Sequence, residues 1–582
     1  MYPVIGIRPV IDGRRKGVRE SLEEQTMGMA HIAADLISST LKYSDGTPVQ
    51  CVIADTTIGG GYEAALCEEK FLKLNVTATL TVTPCWCYGM EVLDNNPNTV
   101  KGIWGFNGTE RPGAVLLAAA MAAYAQNGQP CFAIYGHDVQ DADDRSVPDD
   151  VREKLIKFAK CAVAVGEMKN KSYCNIGAVC MGIAGSYCNV DFFSKYLGIR
   201  PEWVDMIEIQ RRIDLEIYDH DEYEKARAWQ KANCIDGDDI VNKPPMTAER
   251  RDKDWEFIIK MTLIIQDILN GNPKLKEMGF DEEACGRNAI LGGFQGQRQW
   301  TDYLPNADFS ESILNSTFDW NGPRKPTLLA TENDGLNGVS MLLGFLLTHG
   351  SSIFADVRTY WSPDAIERVT GEKMTGNSEN GFIHLINSGA AALDGIGCTD
   401  GVMKPWYEVS NENAEACMRK TPWRPANLDY FRGGGFSSNW RNEVEMPVTM
   451  IRLNIVAGIG PVLQIAEGTT CCVSDNVYNT INNRTDPTWP TTFFAPRING
   501  EGAFKDVYSV MANWGANHGS LSYGHIGAEL ITLASMLRIP VSMHNVSDDK
   551  IYRPHSWSAF GTKDLEGADY RACQAYGPIY KA

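Results

Sequence analysis

From residue 2 to about residue 350 the chain alternates short apolar runs with segments of helical period; beyond that point the alternation stops. Apolar and β-branched runs occupy residues 2–11, 49–55, 76–83, 102–106 and 131–135. Helix-like segments lie between most of them, such as 21–42, with Met27, Ala30, Ile37 and Leu41 at roughly helical spacing. Strands joined by helical crossovers pair in parallel, so the pattern predicts a mostly parallel sheet covered by helices. Residues 149–170 predict a closing helix, and the K-N-K end at 169–171 a boundary. A second unit of this kind follows, with a strand at 177–181 and helices over 249–270 and 284–300. It ends in the strand P-T-L-L-A-T-E, the turn N-D-G-L-N-G and the helix V-S-M-L-L-G-F-L-L.

After residue 350, short β-like runs at 353–359, 382–386, 448–456 and 462–466 are separated by Gly, Pro and Asn, with one helix near 524–537. The expected fold is therefore α/β. Two Rossmann-like α/β domains, 1–170 and 171–350, precede a β-rich, barrel-like C-terminal domain, 351–582. A chain of 582 residues is too long for a single core, which agrees with several domains.

A formal charge of -19 and a pI near 5.0 argue against nucleic acid or an anionic membrane as partner. The longest apolar run, 114–125, is too short to span a bilayer, and the N-terminal segment has neither a basic nor a cleavable apolar stretch. Sixteen cysteines are sparse for this length, and C-W-C at 85–87 and C-C at 471–472 do not match zinc spacing. A cytoplasmic protein with reduced thiols is expected, acting on a small molecule.

Three segments place a metal-competent side chain in or beside an apolar run: A-T-E-N-D-G-L-N-G at 330–338, F-A-D-V-R-T-Y-W at 354–361 and W-G-A-N-H-G-S at 514–520. Glu332 falls at the carboxyl end of a buried-type strand, where open α/β sheets bind ligands; a bland alternative is that it caps the following helix. Asp356 lies within an alternating strand, opposing β propensity, and needs either a metal or an arginine from another strand if it is buried. His518 follows the expected strand V-Y-S-V-M-A-N-W and has glycines on both sides; His525 competes with it, and spacing does not choose. Two carboxylates and an imidazole suit a divalent cation such as Mn²⁺ or Mg²⁺ with positions left for substrate oxygens.

G-G-G-Y-E-A at 59–64 matches a dinucleotide fingerprint in form, but the next strand ends in T-P-C-W rather than an acidic ribose-binding residue. Gly433-Gly-Gly435 lacks a phosphate-loop lysine and predicts a tight turn. Aromatic residues beside polar ones, among them Trp86, Tyr430 and Trp489, suit stacking on sugar faces.

Long strings of low degeneracy give these residues a context. Among them are G-I-R-P-V-I-D-G-R-R at 6–15, T-V-T-P-C-W-C-Y-G at 81–89 and W-G-F-N-G-T-E-R-P-G-A at 104–114, then G-F-Q-G-Q-R at 293–298, Y-F-R-G-G-G-F-S-S at 430–438 and V-M-A-N-W-G-A-N-H-G at 510–519. With the three segments above, they make the chain resemble, almost end to end, the bacterial manganese-dependent L-fucose isomerase family of aldose–ketose isomerases.

The resemblance implies Glu332, Asp356 and His518 as ligands of Mn²⁺, replaceable by Co²⁺ or Mg²⁺, and so favours His518 over His525. It further implies substrate contacts from Gln295, Ser388, Tyr430 and Asn517, with Arg14 and Met181 as weaker candidates. It also implies a homohexamer in which Trp86 reaches a neighbouring subunit's site. The expected reaction converts L-fucose to L-fuculose, and D-arabinose to D-ribulose, through an ene-diol, with Glu332 and Asp356 as acid and base. Competing readings are a non-catalytic sugar-binding protein and a metal-dependent sugar epimerase or aldolase.

Overall fold

The computed structural model describes residues 2–111, 113–387, 391–397 and 403–581. Strands β1 (Val4–Pro9), β2 (Cys51–Ile53), β3 (Val76–Thr83), β4 (Val100–Gly105) and β5 (Cys131–Tyr135) form an all-parallel sheet in the order β2-β1-β3-β4-β5. β3 shows why the sequence takes this form. Its V-T-A-T-L-T-V-T carries β-branched residues at most positions and is buried from Thr77 onward, as a central strand covered on both faces must be.

A second parallel sheet contains β6 (Ser172–Ile176), β7 (Arg200–Val204), β8 (Ala289–Phe294) and β9 (Leu329–Ala330), in the order β9-β8-β6-β7. Counted from its own first strand, the first sheet runs 2-1-3-4-5 and the second 2-1-3-4, so in both the strand order reverses between the first and third strands. A crevice opens there at the carboxyl ends, the usual ligand position of such sheets.

The chain then closes an antiparallel barrel from β10 (Ser352–Trp361), β11 (Phe382–Ile386), β12 (Pro447–Val456), β13 (Gly460–Thr470), β14 (Thr491–Pro496) and β15 (His518–Tyr523). The strands follow one another as β12-β15-β10-β11-β14-β13, and β13 pairs back onto β12. The α/β architecture with a barrel-like C-terminal part is thus the one expected from the sequence.

Three helices connect these bodies: α1 (Ala248–Asn270), α2 (Asp308–Asn315) and α3 (Gly335–Thr348). α3 is apolar all round and buried through Leu347, so it needs cover on every side. Gly338 lets it approach Ala330 and Leu291 of the second sheet, and Gly344 lets it approach Ser522 of β15, where an added Cβ would lie 2.0 Å from the hydroxyl oxygen. α3 is therefore a wedge between the second sheet and the barrel.

Four local expectations are corrected. Residues 177–181 are not a strand; β6 ends before Gly177, which turns the chain with φ 82°, and Met181 adopts φ 49°. The helix expected over 284–300 is instead strand β8. Its Gly292 and Gly293 leave no room for side chains against Leu269, Asn333 and Tyr173, and glycine pairs disfavour helix. The strand expected at 326–332 is reduced to Leu329–Ala330. The run before His518 is helix α4 (Val507–Asn513), because the Asp506 side chain caps it by accepting from Ser509 N at 2.7 Å. His518 therefore opens a strand rather than following one.

One buried group makes the fold sensitive to pH. Asp267, in the last turn of α1, is 8% exposed, its Oδ2 has no hydrogen-bond partner, and burial raises its carboxyl from 3.8 to about 7. The folded state thus holds this proton more tightly than the unfolded chain. Its stabilising contribution is complete below about pH 4 and is lost as pH rises through about 7. Asp267→Asn is expected to raise the thermal unfolding midpoint at pH 8, the equivalent of about 1–3 kcal/mol, and to leave it unchanged at pH 4. Equal midpoints for parent and variant at pH 8 would contradict this.

Candidate active site

Glu332 sits between β9 and α3 in a turn whose backbone is left-handed at two consecutive non-glycine residues, Glu332 (φ 58°) and Asn333 (φ 53°). Such residues cost about 1–3 kcal/mol each and persist only where their surroundings enforce them. Asp356 and His518 are direct cross-strand partners in the β10–β15 ladder, which sets their side chains on the same face of the barrel wall. His518 Nε2 lies 3.3 Å from Asp356 Oδ1 and 3.4 Å from Glu332 Oε2. The histidine is 1% exposed, whereas the Asp356 side chain is 37% exposed, so the group is closed on the imidazole side and open on the carboxyl side.

The ring is oriented from behind. Its Nδ1 is 2.7 Å from Asp334 Oδ2, and Arg452 Nη1 donates to the same oxygen at 2.7 Å. Asp334 is fully buried, and its other oxygen accepts from Asn337 N at 3.0 Å, capping α3. Burial alone would raise the Asp334 carboxyl, but Arg452 and His518 outweigh it and hold it far below the usual carboxylate range. Burial likewise works to lower His518, but hydrogen bonds to Asp334, Asp356 and Glu332 outweigh it and raise the imidazole well above 6.5. Three carboxyl groups thus favour positive charge at this point.

A pocket of about 430 Å³ opens in front of the three residues. Met181, Tyr430 and Asn517 line it, together with Glu332, Asp356 and His518. Asn517 Nδ2 lies 3.0 Å from His518 Nε2. Residues that sequence reasoning did not assign complete the lining: Gln297, Thr331, Arg358, Asn387, Asn427 and Asp486. Trp489, noted in the sequence only as a sugar-stacking candidate, also lines it, and its ring is 6.2 Å from that of Tyr430. Amide and charged groups beside two aromatic rings suit a polyhydroxylated ligand of modest size.

Not every expected contact is brought here. Gln295 is turned away: its Oε1 accepts from Ala178 N at 3.2 Å, and its Nε2 donates to Arg298 O at 3.3 Å and Gln299 Oε1 at 3.2 Å. It braces two loops, and Gln297 of the same F-Q-G-Q string reaches the pocket instead. Arg14 and Trp86 lie in the loops after β1 and β3, in the crevice of the first sheet, and do not line this pocket. Arg14 pairs with Asp12 at 2.6 Å and Trp86 is 41% exposed. Ser388 lies outside the described residues. His525 is a satisfied histidine, its Nε2 2.9 Å from Gly468 O.

Tyr430 is held by a loop pinned from the second sheet's side. Asp254 Oδ2 accepts from Gly435 N at 3.0 Å, and Gly433 packs so tightly that an added Cβ would lie 1.9 Å from Leu304 O.

The donor set fits a hard divalent cation. As they stand, the described residues offer no group of three or more His, Cys, Asp or Glu side chains arranged to hold a metal ion. Glu332, Asp356 and His518 would do so with the two carboxylates drawn closer to the imidazole than their present 3.4 and 3.3 Å. They are the residues that would hold such a cation, which would supply Lewis-acid chemistry at the pocket. With Nδ1–H given to Asp334, Nε2 is the nitrogen left to face the pocket.

The fold and pocket define an enzyme site for a small polyhydroxylated substrate, built where a doubly wound α/β body meets an antiparallel barrel. Comparison with known proteins names it further: the chain belongs to the L-fucose isomerase family. Three of its domain models match most of the chain, the first N-terminal domain over residues 2–170, the second N-terminal domain over 171–349 and the C-terminal domain over 385–544. The chain is 61% identical to the L-fucose isomerase of Phocaeicola vulgatus and 59% identical to that of Bacteroides thetaiotaomicron, each over the full length of both chains. It is also 59% identical to the L-fucose isomerase of Vibrio vulnificus over 99% of each.

Asp334 aims the histidine, so Asp334→Asn, which keeps the shape and loses the charge, is expected to lower divalent-cation affinity about 10- to 100-fold. Calorimetric titration with Mn²⁺ measures this, and unchanged affinity in the folded variant would refute it.

Proposed function

We propose that this chain is an aldose–ketose isomerase that interconverts L-fucose and L-fuculose, and D-arabinose and D-ribulose, with Mn²⁺ held by Glu332, Asp356 and His518. The observation that carries the reading is the convergence of Glu332 with the cross-strand pair Asp356–His518, at 3.4 and 3.3 Å, at the mouth of a polar pocket. Membership of the L-fucose isomerase family supplies the substrate class. When bound, the cation supplies Lewis-acid stabilisation of the negative charge that develops on the substrate oxygens.

The rest is done by the chain itself. Tyr430 and Trp489 give apolar faces against which the C–H face of a sugar stacks, while Asn387, Asn427 and Asp486 offer partners to its hydroxyls. Isomerisation by proton transfer takes one proton from C2 and delivers one to C1, while a second passes from the C2 hydroxyl to the C1 oxygen. In this reading Glu332 and Asp356 exchange these protons with the substrate, through an ene-diol. His518, locked between Asp334 and the pocket, takes no proton from substrate and serves only to hold the metal. Burial raises the Tyr430 hydroxyl, so it stays protonated and acts as a hydrogen-bond donor to substrate.

The same reading includes a homohexamer in which Arg14 and Trp86 complete a neighbouring copy's pocket. Their place in the crevice of the first sheet supports it, as does the exposure of Trp86, Tyr88 and Met90 at 41%, 53% and 74% in one stretch. A cytoplasmic location belongs to it too. The cysteines among the described residues are free thiols, and no helix among those residues is long and apolar enough to cross a membrane.

Ketose formation from L-fucose and from D-arabinose, with and without Mn²⁺ after chelation, tests the activity. The Glu332→Gln, Asp356→Asn double variant is expected to lose both Mn²⁺ binding and turnover, and tight Mn²⁺ binding by it would sink the assignment. Solvent deuterium appearing at C1 of the product supports proton transfer, whereas full retention of the substrate hydrogen points to a hydride shift. Light scattering is expected to give six copies, and Trp86→Ala to raise the KM for L-fucose with no new defect in Mn²⁺ affinity. A monomer of full activity would overturn the shared-site part.

A further inference from the structure

Helix α2 is buried at every one of its residues, Asp308 through Asn315, yet it carries a polar face. Asp308, Glu311 and Asn315 recur at helical spacing and point at three parts of the site scaffold. Asn315 acts as a substitute strand partner for β9: its Oδ1 accepts from Leu329 N at 3.0 Å and its Nδ2 donates to Leu329 O at 2.8 Å. Asp308 accepts from the hydroxyl of Ser437, beyond the Tyr430 loop. Glu311 Oε2 accepts from Thr331 Oγ1 at 2.8 Å.

The third contact falls on the residue before Glu332. β9 is a two-residue strand at the edge of its sheet, so the sheet itself does little to fix the turn that follows. That turn is left-handed at Glu332 and Asn333 and needs enforcement from outside. On its far side Asn333 Oδ1 accepts from the Tyr173 hydroxyl at 2.5 Å, and Asp334 is bound to Arg452 and His518. On the near side the side-chain anchors among these contacts are those from α2.

Glu311 is wholly buried, and among the described residues its Oε1 has no hydrogen-bond partner and no cation is paired with it. Stability would favour an apolar residue there, because a buried carboxyl with an unmet oxygen is costly. Its contact with Thr331 gives that cost a purpose.

We infer that Glu311 is a positioning residue of the active site: through Thr331 it holds the left-handed turn that aims Glu332 at His518. Its role is to accept a hydrogen bond in a buried place, and an uncharged acceptor of the same shape serves equally. This rests on the reading of Glu332 as a metal ligand, and the experiment separates the two.

Mn²⁺ affinity by calorimetry, thermal midpoint, and kcat and KM for L-fucose are measured for the full-length parent and for Glu311→Leu, Glu311→Gln, Thr331→Val and the Glu311→Leu, Thr331→Val pair. Glu311→Leu and Thr331→Val are each expected to weaken Mn²⁺ binding about tenfold or more. Both should lower kcat with a smaller change in KM; Glu311→Leu should keep a thermal midpoint no lower than the parent's, whereas Thr331→Val, which leaves the buried carboxyl unpaired, should lower it. Glu311→Gln should restore affinity to near the parent's, and the pair should be no worse than either single change, since the Glu311–Thr331 hydrogen bond is lost in every case.

Affinity within twofold of the parent in both Glu311→Leu and Thr331→Val overturns the inference, as does Glu311→Gln failing alongside Glu311→Leu. Should Glu311→Leu fail to fold, the near-isosteric Thr331→Val decides alone. A parent that binds no Mn²⁺ would instead strike at the metal-site reading, a result told apart from the others in the first titration.

Discussion

Asp334 is the point on which this molecule turns. One buried carboxylate caps the wedge helix α3, accepts from Arg452 of β12 and fixes the imidazole of His518 on β15. Two barrel strands and the second sheet's last helix are thereby joined through a single residue that is fully excluded from water. Removing either partner of a buried pair leaves an uncompensated charge, at a cost of about 3–5 kcal/mol, so the three elements hold their relative positions together or not at all. The arrangement of Glu332, Asp356 and His518 inherits that rigidity. Asp356 is placed by ladder register opposite His518, and Glu332 lies two residues from Asp334.

What the sequence reveals of this arrangement follows from how local each signal is. Asp356 is legible because a carboxyl residue inside an alternating strand contradicts its surroundings and demands a reason. By the same logic Arg452, in V-T-M-I-R-L-N-I-V, carries an equal signal, and it supplies the counter-charge of the site. Asp334 is hidden by its own context, since Asn-Asp-Gly reads as a turn and turns need no further explanation. The distinction between Gln295 and Gln297 is also invisible locally. It depends on Gly296 at φ 55° and on the loop after β6, which is brought alongside only by the parallel pairing of β6 with β8. Strand β8 itself escapes pattern reading because its two glycines answer to a neighbouring helix and a tyrosine hydroxyl, not to any preference of their own.

The two sheets share a topology but have been put to different uses. In the second, the chain leaving β9 delivers Glu332, and the loop after β6 delivers Met181, to a pocket that the barrel completes. In the first, the corresponding crevice presents Arg14 and Trp86 away from that pocket, beside exposed aromatic and aliphatic side chains. The same strand order thus frames a polar pocket at one sheet and an exposed apolar stretch at the other.

The closed barrel has a consequence for how the protein comes into being. Glu332 leaves the ribosome nearly two hundred residues before His518, and Asp356 follows it closely, so for much of synthesis two donors of the centre exist without the third. β15, the last barrel strand to be made, inserts between β10 and β12 and brings the imidazole with it. Until that insertion the edges of β10 and β12 are bare, the state in which unfinished sheets pair with wrong partners. Completion of the active centre and sealing of the fold are therefore one event, and a chain cut short before it would present open strand edges in place of a catalyst.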